Sequence, residues 1–542
     1  MYLRKKLFVL SASAMAFAGL AAAQSPCGGA GTANNTTLPN LLRVEATNDQ
    51  VTNLNISCPN TGNLAQGQVV LQLSAPVTST QVAVGTNEAT LIVNGTAYQG
   101  TVSGNTVVFN SVTFPVGAAF TMSTANIRVN SNTVPVNTYV TETLNVYNQG
   151  VVAFSTAGLG TATYQTLGQV GLVQQGFATP KGSGVQNYVI CQSSGAQTLP
   201  SFTVTIAEQF GGAFKTQIPG TTTANGGNAA VAITCGAGPG CTSTNGEQGT
   251  YPASPGAAPS IGAANSGTRF LLTFAGIPSG VTLWMPSQVT GTGQLKLALT
   301  SSATGAFSYV APTGTGANVG FASIAAANGA ATAVYEVVST DNTVLNESVA
   351  ISGQFGFAAN FATTAQPAVT VTVTPAPTGS TNVPNFATSG NTALTLSAWT
   401  TCQTSLLFPF VTNQLGFDTG LVLVNASTDN LGAAGKSIAT AQSGTCALNF
   451  YGSGAPSTQP VAAPGGTQAS GTTNAFLLSA VAPGFQGYMI ATCTYLYGHG
   501  YGFLAFDLTK SDGVVEGYIA EVLGAVTGTR TVSTGIPEAV TF

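Results

Sequence analysis

Short runs of β-branched and apolar residues, each closed by glycine, proline or asparagine, recur along the whole chain. Residues 369–373 alternate with a period of two, and Gly104-Asn105 separates two such runs as a two-residue hairpin turn. Strands this short, with no convincing amphipathic helix between them, bury their apolar faces by packing sheet on sheet. We therefore predict an all-β fold of two or three antiparallel β-sandwich domains in tandem, of Ig-like or jelly-roll-like type.

Turn-rich segments divide this pattern. A second hairpin is predicted from residues 333–338, a turn at 339–342 and residues 344–351. The stretch from residue 375 is rich in proline, glycine and threonine, which is typical of a linker. We predict a signal peptide at residues 1–23, an N-terminal β-sandwich at 24–149, a middle β-rich domain at 150–374, a linker at 375–393 and a C-terminal β-rich domain at 394–542.

The first residues have the organisation of a secretory signal. Arg4, Lys5 and Lys6 precede an apolar run over residues 7–20, and three alanines end at residue 23. We predict cleavage before Gln24. An uncleaved membrane anchor is the alternative, but the run is short for a span and is followed at once by polar residues and proline. The mature protein is therefore expected outside the cell or on its surface, without a transmembrane helix.

Eight cysteines follow the predicted cleavage site, and an even number in an exported protein indicates disulfides. No Cys-x-x-Cys pair occurs and the chain has one histidine, so no zinc site is predicted. Two schemes are open. The first pairs Cys446 with Cys493, Cys27 with Cys58, and Cys235 with Cys241, and leaves Cys191 and Cys402 unassigned. The second follows a weak internal repeat, in which Cys191-Gln-Ser-Ser is echoed by Cys402-Gln-Thr-Ser, and pairs Cys191 with Cys235 and Cys402 with Cys446.

The chain has few groups that carry charge or protons. Only 5% of its residues are charged, with 12 Lys and Arg and one His. A basic surface for phosphates is lacking, so nucleic acid is not an expected partner. Most enzyme classes also need more acid and base groups than this chain supplies.

Two short motifs nevertheless resemble parts of catalytic sites. Asp418-Thr-Gly matches the core of aspartic proteases, but it occurs once and lacks the usual hydroxyl residue after the glycine. His499 would have to serve any Ser-His-Asp triad, with Asp507 or Asp512 to orient it, yet no Gly-x-Ser-x-Gly elbow occurs. We interpret Asp418 as part of a polar turn, and His499 as a packed or edge-strand residue between glycines.

Other polar and aromatic residues suggest weaker possibilities. Glu336, Asp341 and Glu347 lie in one predicted hairpin and offer a weak Ca²⁺ site, although no EF-hand loop is present. Trp284 and Trp399, with the tyrosines, offer a sugar-stacking face, whereas aromatic residues at strand spacing are more often core. We assign no catalytic, cofactor-binding or metal-binding residue.

Four strings near the C-terminus carry a family resemblance. They are Ser405-Leu-Leu-Phe-Pro-Phe-Val-Thr-Asn-Gln-Leu-Gly-Phe-Asp-Thr-Gly, Gly444-Thr-Cys-Ala-Leu-Asn-Phe-Tyr-Gly, Pro483-Gly-Phe-Gln-Gly-Tyr-Met-Ile-Ala-Thr-Cys and Gly498-His-Gly-Tyr-Gly-Phe. Residues 395–525 resemble a group of exported β-rich proteins found in many copies in soil Acidobacteria. The resemblance implies secretion and a β-rich architecture, and it brings no catalytic residues with it.

The sequence favours a secreted cell-surface or extracellular-matrix protein with a structural or adhesive role and no catalysis. A surface of hydroxyls and amides changes little with salt or pH, and sheet edges without lysine are suited to self-association. The expected partners are cell-surface polysaccharide, other surface proteins or further copies of the chain. The first alternative is a carbohydrate-binding β-sandwich array. The second is a secreted hydrolase, either a glycosidase or an aspartic-type protease.

Overall fold

The computed structural model describes residues 39–58, 64–79, 81–83, 86–148, 150–155, 168–191, 202–217, 223–224, 232–235, 266–304, 307–341, 344–358, 361–362, 365–379, 382–388, 392–427, 441–506 and 513–524. Strands dominate throughout these residues. The helices described among them are single 3₁₀ turns, at Ser131–Thr133, Gly316–Asn318 and Leu478–Ala480. The predicted all-β class is confirmed.

The first group of strands forms two packed sheets. A seven-stranded sheet has the order β1-β15-β13-β4-β10-β9, with β14 on β13, and a four-stranded sheet has the order β3-β11-β7-β8. Alternate residues such as Leu71 and Met122 enter one hydrophobic cluster between them. The strands are β1 Asn40–Arg43, β2 Asp49–Gln50, β3 Asn55–Cys58, β4 Gln66–Leu73, β5 Gln81–Ala83, β6 Thr86–Asn87, β7 Thr90–Val93, β8 Thr96–Gln99, β9 Thr101–Ser103, β10 Thr106–Thr113, β11 Phe120–Ala125, β12 Arg128–Val129, β13 Tyr139–Asn148, β14 Val151–Ser155 and β15 Gln169–Gln174.

The middle group also forms a sandwich. A five-stranded sheet, β16-β18-β27-β22-β25, faces a larger one, β19-β20-β26-β21-β28-β29, which β24 and β23 extend. Phe202, Phe270 and Phe355 lie in the shared cluster. The strands are β16 Lys181–Gly182, β17 Gln186–Val189, β18 Phe202–Ala207, β19 Thr223–Ala224, β20 Ala232–Cys235, β21 Arg269–Ala275, β22 Val281–Pro286, β23 Gln288–Thr290, β24 Lys296–Thr300, β25 Phe321–Ile324, β26 Ala330–Thr340, β27 Ser348–Phe357, β28 Thr370–Ala376, β29 Leu394–Thr395 and β30 Ser397–Thr400.

The last group contains two antiparallel sheets around a third cluster, which includes Phe408, Leu421 and Met489. Their orders are β34-β33-β36-β31-β39 and β35-β32-β37-β38. The strands are β31 Thr404–Thr412, β32 Phe417–Asn425, β33 Cys446–Ser453, β34 Val461–Ala462, β35 Thr472–Leu477, β36 Gln486–Cys493, β37 Gly498–Phe506, β38 Val514–Ile519 and β39 Glu521–Leu523. The chain thus carries β-sandwiches in tandem, as predicted.

One predicted hairpin is correct and the other is wrong. Strands β9 and β10 pair across Gly104-Asn105. By contrast, β26 pairs with β21 and β24, whereas β27 pairs with β18 and β22 in the opposite sheet. The connection after β26 passes from one sheet to the other, and the Glu347 carboxylate at its end accepts hydrogen bonds from the Thr340 hydroxyl and the Asp341 and Gln294 amides. This crossing, in which Leu345 is exposed and Glu347 is buried, replaces the expected turn.

The segments near the predicted domain boundaries take part in the packing. Strands β14 and β15 pair with β13, so strand pairing of the first group continues to Gln174. Pro375 and Ala376 end β28, and Phe386 is buried and bridged to Ala46. Residues 375–376 of the predicted linker therefore belong to the middle group, while the stretch around Phe386 packs against the first group. The division into domains remains a prediction.

Two disulfides join described cysteines. Cys446 and Cys493 lie opposite each other in β33 and β36 and are bonded, which confirms that predicted pair. Cys191 is bonded to Cys402, so the scheme based on the repeat is wrong. This bond joins chain segments 211 residues apart, beside the parallel pair β17 and β30. Cys58 is also disulfide-bonded, but Cys27 and Cys241 lie outside the described residues, so those two predicted pairs stay predictions.

Candidate functional site

The four-stranded sheet of the last sandwich has one face toward the core and one toward solvent. In β32, Leu421 and Leu423 are buried in the core, while Val422 and Val424 point the other way and stay partly exposed. The strand register puts apolar residues of all four strands beside these valines. We call this surface the outer apolar face; it consists of Val422, Val424, Leu477, Tyr501, Phe503, Val515 and Ile519.

Strand β37 shows why this face is unusual. Gly498, Gly500 and Gly502 alternate with His499, Tyr501 and Phe503, and the glycines are on the core side. A Cβ at Gly500 would lie 2.7 Å from the Phe408 ring, so glycine lets the opposite sheet approach closely. Strands normally direct their large apolar residues inward. Here the small residues point to the core and the aromatic residues point to solvent.

The two aromatic rings of the face lie along the sheet instead of standing away from it. A methyl group at Gly420 would overlap the Phe503 ring, and one at Gly517 would overlap the Tyr501 hydroxyl. The two ring centroids are 6.4 Å apart and the planes differ by 32°. Glycines in the neighbouring strands thus provide the space in which each ring lies flat.

The outer apolar face is open to solvent. Ile519 is 79% exposed, Val515 55%, Leu477 50% and Tyr501 42%. With four strands about 4.8 Å apart and about 20 Å of strand length, the face covers roughly 300–400 Å². Contiguous apolar patches of this size on a soluble protein are often interaction sites.

Asp418 lies at one end of this sheet and anchors a turn. Its Oδ1 accepts hydrogen bonds from the amides of Thr419, at 2.9 Å, and Ser479, at 3.2 Å, while Oδ2 accepts one from the Ser479 hydroxyl at 2.6 Å. The carboxylate therefore holds the 3₁₀ turn Leu478–Ala480 against β32. This agrees with our interpretation of the motif as a polar turn.

His499 is exposed, in a strand that lies between β32 and β38. His499 is therefore neither packed nor on an edge strand, and that interpretation is wrong. The neighbouring glycines do allow close packing on the core side, as predicted. His499 pairs with Val424 and Asp418 pairs with Ala505, so the two sites are six residues apart along the strands, or about 20 Å. They cannot act on one bond. Asp507 and Asp512 lie outside the described residues.

The three carboxylates suggested for Ca²⁺ do not form one site, because Glu336 is engaged elsewhere while Asp341 and Glu347 lie next to each other. Glu336 is buried and paired with Arg269, with Oε2 to Nη2 at 2.7 Å. Glu347 accepts the hydrogen bonds that fix the crossing after β26. No cluster of three metal-ligating side chains occurs within the described ranges.

Trp399 is a core residue. Its ring stacks on Tyr188, with centroids 4.8 Å apart, and contacts Phe355 and Phe357 edge-on. Trp284 is half-buried in β22, with its indole beside Gly356. The tryptophans therefore do not form a sugar-stacking face. Among the described residues, solvent-exposed aromatic pairs lie elsewhere, at Tyr501 with Phe503 and at Tyr451 with Tyr488.

A cavity of about 230 Å³ lies where the first and middle groups of strands meet. Its walls include Phe177, Phe270 and Val373, and Glu45 is its one acidic group. Burial raises the pKa of Glu45, while the Gly176 amide donates to its carboxylate. Glu45 thus fixes the segment around Gly176 at the edge of this cavity.

No family model and no curated protein matches the chain, so the resemblance to exported Acidobacterial proteins stays a prediction. Among solved structures, it is similar to the T6 backbone pilin of serotype M6 Streptococcus pyogenes (8% identity, TM-score 0.18, 87% of this chain and 80% of that one). It is also similar to the RrgB pilus protein of Streptococcus pneumoniae (10%, 0.16, 89% and 64%) and to the BcpA major pilin subunit of Bacillus cereus (10%, 0.18, 80% and 88%). TM-scores this low support no inference about fold or function. Among the described residues, no helix has the length and hydropathy to span a membrane.

Proposed function

We propose that the chain is a secreted, non-catalytic protein of the cell surface or extracellular matrix, and that it adheres through the outer apolar face. One observation carries the proposal: β37 directs His499, Tyr501 and Phe503 to solvent and its glycines to the core. A strand that served only to fill the core would have the opposite arrangement.

The energetics of the face support an adhesive role. Covering roughly 300–400 Å² of apolar surface contributes about 8–10 kcal/mol before the costs of association are subtracted. The side chains that form the face carry no charge, so such contact depends little on ionic strength. Pairing of sheet edges with other copies is part of the same proposal, because charged residues are scarce in this chain.

The positions of the candidate catalytic residues support a role without catalysis. The Asp418 carboxylate is engaged by Thr419 and Ser479, and the Glu336 carboxylate is engaged by Arg269. His499 lies about 20 Å from Asp418. A hydrolase would need a pair of such groups directed at one substrate bond.

The adhesive role is tested with the whole secreted chain and matched substitutions. Ile519→Asp puts a charge on the outer apolar face, and Leu345→Asp puts one on a similarly exposed residue, 74% against 79%, far from it. We expect the wild type and Leu345→Asp to be retained by cell-envelope and extracellular-matrix preparations, and Ile519→Asp to be released. Equal retention of all three chains, or no retention of the wild type, would refute adhesion through this face.

The absence of catalysis is tested separately. We expect no hydrolysis of casein or of a panel of glycans by the wild type. A hydrolytic rate that disappears in Asp418→Asn or His499→Ala would refute the non-catalytic role.

A further inference from the structure

We infer that the outer apolar face binds a chain of uncharged polysaccharide, with sugar rings stacked on Tyr501 and Phe503. This inference rests on the proposed adhesive function and names the partner of that same surface. It concerns the C-terminal sandwich alone, and so differs from an array in which every domain binds sugar.

The geometry of the two rings carries the inference. Each ring lies flat over a glycine of the neighbouring strand, Phe503 over Gly420 and Tyr501 over Gly517, so one aromatic face of each is turned outward. A pyranose ring presents a layer of C–H groups on one side, which packs flat on such a surface. The separation of 6.4 Å between the ring centroids is comparable with the length of one hexose unit. Successive sugars of an extended chain can therefore rest on successive rings.

The surroundings of the rings suit hydroxyl groups. The row next to Tyr501 ends in His499 on one side and Thr473 on the other, both exposed. Among the described residues, the His499 side chain has no hydrogen-bond partner in the structure, so its ring nitrogens are free for a ligand. At the opposite end of the face lie Ser479 and Asp418. A polar rim around an apolar centre is the usual arrangement of a binding surface.

Size and charge distinguish a glycan from other occupants. A stable interface between two proteins needs about 800 Å² on each side, and the outer apolar face offers roughly half of that. Its side chains are uncharged, which gives an anionic polymer no electrostatic attraction. A neutral sugar chain needs neither a large area nor a charge, because many weak contacts along one polymer add up.

Binding is measured by co-sedimentation of the full secreted chain with microcrystalline cellulose and with chitin, and alginate gel serves as the anionic comparison. Tyr501→Ala removes one ring, and Tyr451→Ala removes an equally exposed ring, 44% against 42%, from the stacked pair that Tyr451 forms with Tyr488 on the opposite sheet of the same sandwich. We expect Tyr501→Ala to weaken binding about twofold to tenfold, the range for one aromatic contact. Tyr451→Ala is expected to bind as the wild type does.

A second pair of variants tests ring orientation while every aromatic residue is kept. Gly517→Ala displaces the Tyr501 ring from its flat position, whereas Gly524→Ala adds a methyl group where no atom lies within 4 Å. Both residues are exposed near the end of the chain, so both variants are expected to fold. We expect Gly517→Ala to weaken binding and Gly524→Ala to leave it unchanged.

The outcomes separate this inference from the proposed function. No binding of the wild type to cellulose or chitin, or equal binding by Tyr501→Ala, overturns the polysaccharide. If Ile519→Asp is still released from envelope preparations in that case, adhesion through the face stands and its partner is not a neutral glycan. Sedimentation velocity completes the test: self-association of the wild type that Tyr501→Ala abolishes would make a second copy the occupant.

Discussion

Replacing Arg43 with methionine should strongly destabilise the junction between the first and middle groups of strands. Arg43 is fully buried and makes a two-pronged ion pair with Asp49, with Nε to Oδ1 at 3.1 Å. Its Nη1 also donates to the Ala213 carbonyl at 3.2 Å and to the Thr268 hydroxyl at 2.8 Å. The guanidinium lies 4.9 Å from the centroid of the Phe386 ring. The Arg43 side chain thus connects its own segment to the segments around Ala213, Thr268 and Phe386.

The expected magnitude follows from what Arg43→Met leaves behind. Burial alone raises the pKa of Asp49, but the charges of Arg43 and Lys215 and the hydrogen bonds from Arg43 outweigh it and lower that pKa. Removing one partner of a buried ion pair typically costs 3–5 kcal/mol, because the other charge stays buried. Lys215 remains near Asp49, so we expect about 3 kcal/mol. With a urea m value of about 2–3 kcal/mol/M, the transition moves by roughly 1–1.5 M.

The assay is urea unfolding followed by circular dichroism at pH 7 and at pH 4.5, with Lys296→Met as a control on an exposed cation. In the wild type, a lowered pKa gives Asp49 a stabilising effect that is present at pH 7 and lost as pH falls through the folded-state pKa. In Arg43→Met the pKa of Asp49 rises, so acid protonates it and relieves the buried charge. The deficit should therefore shrink at pH 4.5.

The double variant Arg43→Met/Asp49→Leu removes the buried charge that Arg43→Met leaves behind and should recover part of the lost stability, because Lys215 and the backbone amide of residue 43 then lose their contact with Asp49. Lys296→Met should change stability by no more than about 0.5 kcal/mol. A loss below about 1 kcal/mol in Arg43→Met at pH 7, or a deficit that grows in acid, would refute the reasoning.

Three further predictions concern other parts of the chain. Burial raises the pKa of Glu208 to about 8, and the charge of Glu347 adds to the increase. The free energy of unfolding should therefore fall as pH rises from about 4.5 through 8. Glu208→Gln should flatten this decline when the free energy of unfolding is measured across pH, and an unchanged slope would contradict the prediction. Replacing Cys446 and Cys493 with serine should lower stability by about 2–4 kcal/mol, measured as a shift of the unfolding transition, and no shift would show that the bond constrains little. The secreted protein should begin at Gln24, and an intact mass that includes residues 1–23 would contradict cleavage there.

Much of the local structure could be predicted from the sequence. The turn at Gly104-Asn105 and the strands that carry Cys446 and Cys493 follow from alternation and turn residues, which act between near neighbours. The strand predicted at 333–338 lies within β26, whereas the strand predicted at 344–351 overlaps β27 only from Ser348 onward, and the predicted pairing of the two is wrong. Alternation shows that a segment is a strand and gives no information on which other strand lies beside it.

The candidate site was only partly visible for the same reason. The glycine alternation around His499 was noted as a device for close packing, and this is correct on the core side of β37. The same alternation puts Tyr501 and Phe503 on the face of β37 opposite the glycines. Period-two spacing gives a strand two faces and does not say which of them is buried, so the exposed rings do not follow from the sequence.

The sequence by itself determined that this chain forms short strands joined by tight turns, that those strands stack as sandwiches, and that its surface carries little charge. These properties depend on side-chain chemistry and on contacts between residues close in the chain. The tertiary structure alone decided that Cys191 meets Cys402, that Arg43 reaches Ala213 and Thr268, and that β37 turns its rings to solvent. Each of these depends on contacts between segments far apart in the chain, whose pairing is selected only when all the sheets pack together and bury their apolar faces at once.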